Sequence, residues 1–288
     1  MSHSGVCLNL LGTPTLLVDE LPVPLSPRTA LLCAYLALLP TGGRPRSTVA
    51  SQFFADCPGE AARRRLNTAL WRLQVEVRER TGVELLGHGG GRSVALSPAA
   101  GVRVDAVVFE GLLAPLMTRA AGTLGREAVA SIEGAIALHR GPLVESCEED
   151  WVLAARQRIE TLYLAALDCL IQHHGARGDL AAVGHYGDLA LSLEPLREDI
   201  HRHAMTAYAT AGRFDLVERQ FEQCRLATLT GLGVDPMPET LELHARLSAG
   251  TGGISVPGLI SELEQARRDI GRLATSVDRI LARLHRPG

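Results

Sequence analysis

The chain has 288 residues, 46% hydrophobic and 21% charged, the composition of a folded globular protein with room for two domains, or for one domain and appendages. Its longest apolar run, around Ala30 to Leu39, is too short to cross a membrane. With six scattered cysteines and neither a C-x-x-C pair nor a signal peptide, a reducing cytoplasm with free thiols is the simplest expected home. All 29 basic residues are arginine, and the net charge of −3 is unevenly spread. Residues 1–108 carry 11 Arg against 8 Asp plus Glu, and residues 109–288 carry 18 against 24. A mildly basic front and an acidic back fit a nucleic-acid module joined to something else.

In chain order, VCLNLL and TLLV within residues 6–25 predict short strands, with Pro22 and Pro24 suggesting a sheet edge. Ser26-Pro27 reads as a helix N-cap with proline at the first helical position, opening RTALLCAYLALL. Gly42-Gly43 closes that unit, Ser47 is expected to cap a second helix, TVASQFFAD, and Cys57-Pro58-Gly59 forms the loop into a third.

That third helix, Glu60 to Thr81, is the stretch the front module is built to present. Leu66, Leu70, Leu73 and Val77 are spaced four, three and four, which is one apolar helix face. The opposite face carries Arg64, Thr68, Trp71, Arg72 and Val75, flanked by Arg63, Arg65 and Asn67. The plain alternative is a solvated surface helix. Three arginines at a helix N-terminus, however, oppose the macrodipole, which is easier to understand beside phosphate, and arginine also suits guanine edges. Trp71 reads either as a contact to the sugar-phosphate backbone or as a filler beside the sheet.

After Gly82, VELL, the glycine-rich GHGGGR with Arg92, and SVAL predict a β-hairpin. Sheet, three helices and hairpin is the order of a winged helix-turn-helix, whose third helix enters the major groove while the hairpin tip meets the backbone. GHGGGR reads equally as a mobile turn or a phosphate contact, and it lacks the strand, lysine and helix of a nucleotide-binding loop.

From Asp105, expected to cap AVVFEGLLAPLM, the chain reads as helical, with REAVASIEGAIALHR after Gly125 and a long run from about Glu148 to His174. ARGDL at 176–180 recurs as AGRFD at 211–215, placing Gly178 and Gly212 34 residues apart. This is the tetratricopeptide spacing, in which helix pairs stack because none can bury its apolar face alone. Pro195 falls between the units, and PETLELHARL would cap the array.

Residues 250–258, GTGGISVPG, read as a flexible linker. Beyond it Leu259, Leu263, Ala266, Ile270, Leu273, Val277, Ile280 and Leu284 keep a heptad, with Leu263, Ile270, Val277 and Leu284 at a. β-branched residues at two a positions with Leu at d favour a parallel dimer. The alternative is an amphipathic helix folded back on its own domain.

Cys169, His173, His174, His201 and His203 have a spacing that invites a metal reading, but packing or hydrogen bonding is the better account of His201. No nucleophile elbow, HExxH or Walker lysine is present. Glu148, Glu149 and Asp150 are explained as acids at a helix start. The expectation is no enzyme, no metal and no cofactor.

The stretches RTALLCAYLAL, ARRRLNTALWRLQVEV, RVDAVVFEGLL, ALHRGPLVE, EDWVLAARQRIETLYLAAL, EPLREDIHRHAMTAYATAGR and GLGVDPMPETLELHARL resemble the SARP-type transcriptional activators (Streptomyces antibiotic regulatory proteins) over roughly residues 6–247. The last two are the most specific. The resemblance implies a mainly α protein, with an OmpR-like winged helix over 1–104 and a TPR-like bacterial transcriptional activation domain over 105–250; the linker and heptad helix over 251–288 are read from the sequence pattern alone. It implies binding of double-stranded DNA at direct repeats upstream of promoters, and recruitment of RNA polymerase through its sigma subunit. The DNA-contacting positions are then Arg63, Arg64, Arg65, Asn67, Thr68, Trp71 and Arg72, with Arg92 on the wing. The loop Ala55, Asp56, Cys57, Pro58, Gly59 and Glu60 corresponds to the segment such winged helices offer to polymerase. Unlike the larger members, this sequence has no ATPase module after the activation domain, and the heptad tail lies outside the common pattern. A homodimer through Leu259, Leu263, Ile270, Leu273, Val277, Ile280 and Leu284 is expected. The competing class is a TPR-type adaptor whose front module contacts protein.

Overall fold

The alternating burial of Val6–Asn9 (β1) and Thr15–Val18 (β2) makes them half-buried strands of one antiparallel pair. They are the centre of a sheet ordered β3-β2-β1-β7, with Leu21–Val23 (β3) at one edge and Arg103–Val104 (β7) running parallel to β1 at the other. Pro22 sits in edge strand β3, where its missing N–H costs nothing. The computed structural model describes residues 5–38, 43–89, 93–118, 124–145 and 147–249. It divides into two compact units, residues 1–167 and 168–288, with the division inside a long helix, Asp150–Gly175 (α6).

In the first unit three helices follow the sheet: Pro27–Ala37 (α1), Arg46–Phe53 (α2) and Gly59–Thr81 (α3). Ser26 caps α1 as its sequence predicts, its side chain accepting from the Thr29 N–H. Ser47 does not cap α2. The helix starts two residues earlier than expected, at Arg46 behind Pro45, because Arg44–Pro45 (β4) is a strand of the second sheet. That sheet is ordered β4-β6-β5, with Leu86–Gly89 (β5) and Ser93–Leu96 (β6) as the expected hairpin, begun three residues later than VELL suggested. Gly43 has φ +73°, and a Cβ there would meet the Val94 carbonyl oxygen at 2.7 Å, so only glycine admits the approach of β4 to β6. Leu32, Tyr35, Leu36, Val49, Phe53, Phe54, Leu66, Leu70 and Val94 form the core between helices and wing.

Asp105 opens Asp105–Leu113 (α4) but does more than start a helix. Its buried carboxylate accepts from the backbone N–H of Leu10 (2.6 Å), Leu11 (3.2 Å) and Ala106 (2.7 Å), and from Arg140 Nη2 (2.8 Å). This correction has a physical cause: β1 ends at Asn9, and the next two amides need acceptors away from β2. The chain after Arg126–Ile136 (α5) completes the same edge, with Leu11 bridged to Leu143 and Val144 N–H donating to Leu10 C=O. α4 stops at Leu113 and does not reach Met117.

The second unit contains the end of α6, then Leu180–Leu193 (α7), Glu198–Thr210 (α8), Phe214–Leu232 (α9) and Pro238–Ala249 (α10). Gly178 and Gly212, 34 residues apart in sequence, turn α6 into α7 and α8 into α9 with φ +74° and +71°. α10 packs on α8 and α9, as the expected cap does. Its start is held by buried Glu198, whose carboxylate accepts from Met237 N–H (2.9 Å) and Thr240 Oγ1 (2.6 Å), while Arg202 donates to Thr240 (2.8 Å). The two most specific stretches of sequence, EPLREDI and GVDPMPET, therefore meet in one cap, an acid at a helix N-terminus. Among the described residues no helix is long and apolar enough to cross a membrane. The linker 250–258 and the heptad positions from Leu259 to Leu284 lie outside the described residues.

Candidate nucleic-acid interface

α3 is the longest helix of the front module, 23 residues closed by Gly82 in the left-handed conformation. Ala62, Leu66, Leu70, Leu73 and Val77 are buried along one side, and this fixes which residues face outward. Arg63, Arg64, Arg65, Asn67, Thr68, Trp71 and Arg72 are all exposed. Trp71 is 64% exposed, so it does not fill a gap beside the sheet. Val75, grouped with this face by spacing, is half-buried.

The arginine triplet does not sit where the macrodipole opposes it. α3 begins at Gly59, with Glu60 in the first turn, so Arg63–Arg65 occupy the second turn, where the terminal partial charge has largely fallen off. The electrostatic cost inferred from the sequence is therefore small, and the case for an anion rests on the density of exposed guanidinium groups.

Three of these side chains are already engaged, Thr68 by donating its hydroxyl to the Arg64 C=O at 3.1 Å. Arg65 Nη1 bonds Asp56 Oδ2 at 2.9 Å across the loop before α3. Slight desolvation works against it, but the hydrogen bond and charge of Arg65 prevail and hold the Asp56 carboxyl below its ordinary value. Asn67 Oδ1 accepts from Arg46 Nη1 at 2.8 Å. Arg63, Arg64 and Arg72, with Trp71, make up the rest of the exposed face. Arg92 lies outside the described residues. The loop residues Ala55, Asp56, Pro58, Gly59 and Glu60 are exposed and Cys57 is half-buried.

Sequence reasoning missed Arg46 and the exposed Arg44, both placed beside α3 or on the wing sheet by the two-residue strand β4. The basic R-P-R stretch was the available signal. It also missed how this core is closed from the far side of the unit. Trp151, in the first turn of α6, packs edge-on against Tyr35 of α1 (ring centroids 5.0 Å apart) and lies 6.4 Å from Phe53 of α2. Its Nε1 donates to Glu149 Oε2 (2.8 Å), which also accepts from Gln52 Nε2 (2.9 Å). Glu149 is thus a bridging group as well as a helix-start acid.

The metal reading has a structural answer. His203 pairs with Asp168, His201 Nδ1 accepts from Gln220 Nε2 at 2.7 Å, and Cys169 is buried. Among the described residues no group of three His, Cys, Asp or Glu side chains is placed to hold a metal ion.

A comparison with curated proteins finds no match. Among solved structures, that of Mycobacterium tuberculosis EmbR in complex with a low-affinity phosphopeptide is similar in fold, with a TM-score of 0.68 at 19% identity over 94% of this chain and 71% of that one. The family model described as bacterial transcriptional activator domain matches residues 104–248, half of the chain. The chain belongs to the bacterial transcriptional activator domain family.

Proposed function

We propose that the protein binds duplex DNA sequence-specifically through the outward face of α3 and, at promoter-upstream direct repeats, recruits RNA polymerase from the cytoplasm. The observation that carries this reading is the cluster of exposed Arg63, Arg64, Trp71 and Arg72 on a helix whose other side is locked into the core. Guanidinium groups neutralise phosphates and pair bidentately with guanine, and an exposed indole packs on sugar. Arg65 and Asn67, tied to Asp56 and Arg46, act chiefly by shaping this surface. Asp56 lies in the loop 55–60 that would meet polymerase and its sigma subunit, so one ion pair joins the two tasks.

Gel shift against upstream promoter DNA with a salt titration tests the reading. Arg64→Ala should cost roughly 1–3 kcal/mol if it reads a base, and a uniform loss with a shallower salt slope if it holds a phosphate. Unchanged binding by a folded Arg63→Ala, Arg64→Ala, Arg72→Ala triple variant would favour the adaptor reading, in which the front module meets protein. A second reading of residues 259–284 is homodimerisation, which would join protomers set head to tail on direct repeats and competes with a seat for the same segment on its own chain.

A further inference from the structure

α9 and α10 leave an apolar surface uncovered. Leu226, Leu229 and Leu232 follow one another at three-residue spacing along α9, and all are exposed, Leu232 by 61%. Met237 and Leu241 are also exposed, four residues apart and so on one side of the α10 start. His244, three residues past Leu241, stacks on Phe221 of α9 at 3.7 Å, which turns this side of α10 toward α9. The two helices are packed together, so each carries an exposed apolar row, Leu226, Leu229 and Leu232 on α9 and Met237 and Leu241 on α10. Contiguous apolar surface of this kind marks a binding face.

The described residues end at Ala249, the last residue of α10. The next nine residues, GTGGISVPG, reach about 30 Å when extended, more than the length of α10, which is about 18 Å for 12 residues. Residues 259–284 carry an unbroken apolar stripe of the same helical character. The charges also suit each other: residues 109–249 hold 12 Arg against 20 Asp plus Glu, while residues 250–288 hold 6 Arg against 4. We propose that residues 259–284 seat as an amphipathic helix on the α9–α10 face of their own chain. Reach, apolar match and opposite charge favour this occupant over a second copy, because a segment on a nine-residue tether meets its own face at a high effective concentration. The contact withdraws the heptad stripe from pairing with another protomer.

Hydrogen exchange of the full chain, with sedimentation at micromolar concentration, tests the seat. Two variants probe it from opposite sides, Ile270→Glu in the tail and Leu229→Glu on the exposed face, with circular dichroism as the folding control. The expected result is a monomer in which Ile270→Glu speeds exchange of amides 226–249 about tenfold and Leu229→Glu does the same for 259–284. Mixed heavy- and light-isotope protein should give cross-links between these segments within one chain only. A dimer dissociated by Ile270→Glu, with amides 226–249 unchanged, would overturn the proposal in favour of a two-chain coil. Cross-links between heavy and light chains, or a monomer whose exchange neither variant alters, would overturn it as well.

Discussion

Asp105 ties three parts of the first unit together through one side chain. One buried carboxylate takes three backbone amides and the Arg140 guanidinium, so sheet, α4 and the turn after α5 share one acceptor. Removing it leaves buried N–H groups without partners, and Asp105→Ala should lower stability by about 2–4 kcal/mol, read from urea midpoints. Asp105→Asn keeps only part of that set and should fall between. His139, close by, is the residue to watch as pH changes. Its ring stacks on Tyr163 at 3.9 Å, and its buried Nε2 has no hydrogen-bond partner among the described residues. Burial pushes its pKa below 6.5, although its backbone hydrogen bond and Asp105 pull the other way. The folded state thus declines a proton that the unfolded chain accepts, and stability falls as pH drops through 6.5. His201, also lowered by burial, adds to this fall. His203 opposes it, since its hydrogen bond to Asp168 raises its pKa and adds stability at low pH. His139→Phe should keep the ring stack and shrink the loss between about pH 7.5 and about pH 5.5; an unchanged loss would contradict the assignment.

At the scale of elements, legibility followed the range of the forces involved. The α3 seam was readable because Leu66, Leu70, Leu73 and Val77 repeat within one helix, and all are buried. Ser26 and Pro27 announced α1 for the same local reason. β4 and β7 were not readable. Each is two residues long and has no periodicity of its own, and each becomes a strand only because a distant strand, Val94 for Arg44 or Leu8 for Val104, offers hydrogen bonds. Missing β4 displaced the α2 cap to Ser47 and hid Arg44 and Arg46 from the candidate interface. The exposed basic face of α3 was legible as a pattern. The ties that occupy part of it were not, since Arg46–Asn67 spans 21 residues and Gln52–Glu149 spans 97. The repeat in the second unit was visible through Gly178 and Gly212, whereas the Glu198 cap joining its two most specific stretches needed three dimensions.

At the scale of the whole molecule, the first compact unit runs to residue 167, past the family boundary at 104 and past the end of the winged helix read from sequence. The reason lies in what a chain ending at Val104 would lack. Leu10 and Leu11 N–H would lose Asp105, Gly12 N–H would lose Pro142 C=O, and Leu10 C=O would lose Val144. Tyr35 and Phe53 would lose the ring of Trp151, and Gln52 would lose Glu149. The α3 core would then be open along one side, at the helices that hold the candidate interface in place. We therefore expect a 1–104 fragment to be much less stable than residues 1–104 within the full chain, with weak DNA binding from poor folding and not from lost contacts. In the full chain, Trp151→Ala should cost about 2–3 kcal/mol, the edge of the range for a large buried aromatic, because Trp151 is only part-buried. Hydrogen exchange separates this from a local effect: α1, α2 and α3 should open together with α4 and α5 in Trp151→Ala, as one cooperative body. A 1–104 fragment that melts at the temperature of the full chain and binds DNA equally well would refute that coupling, and would place the working boundary back at residue 104.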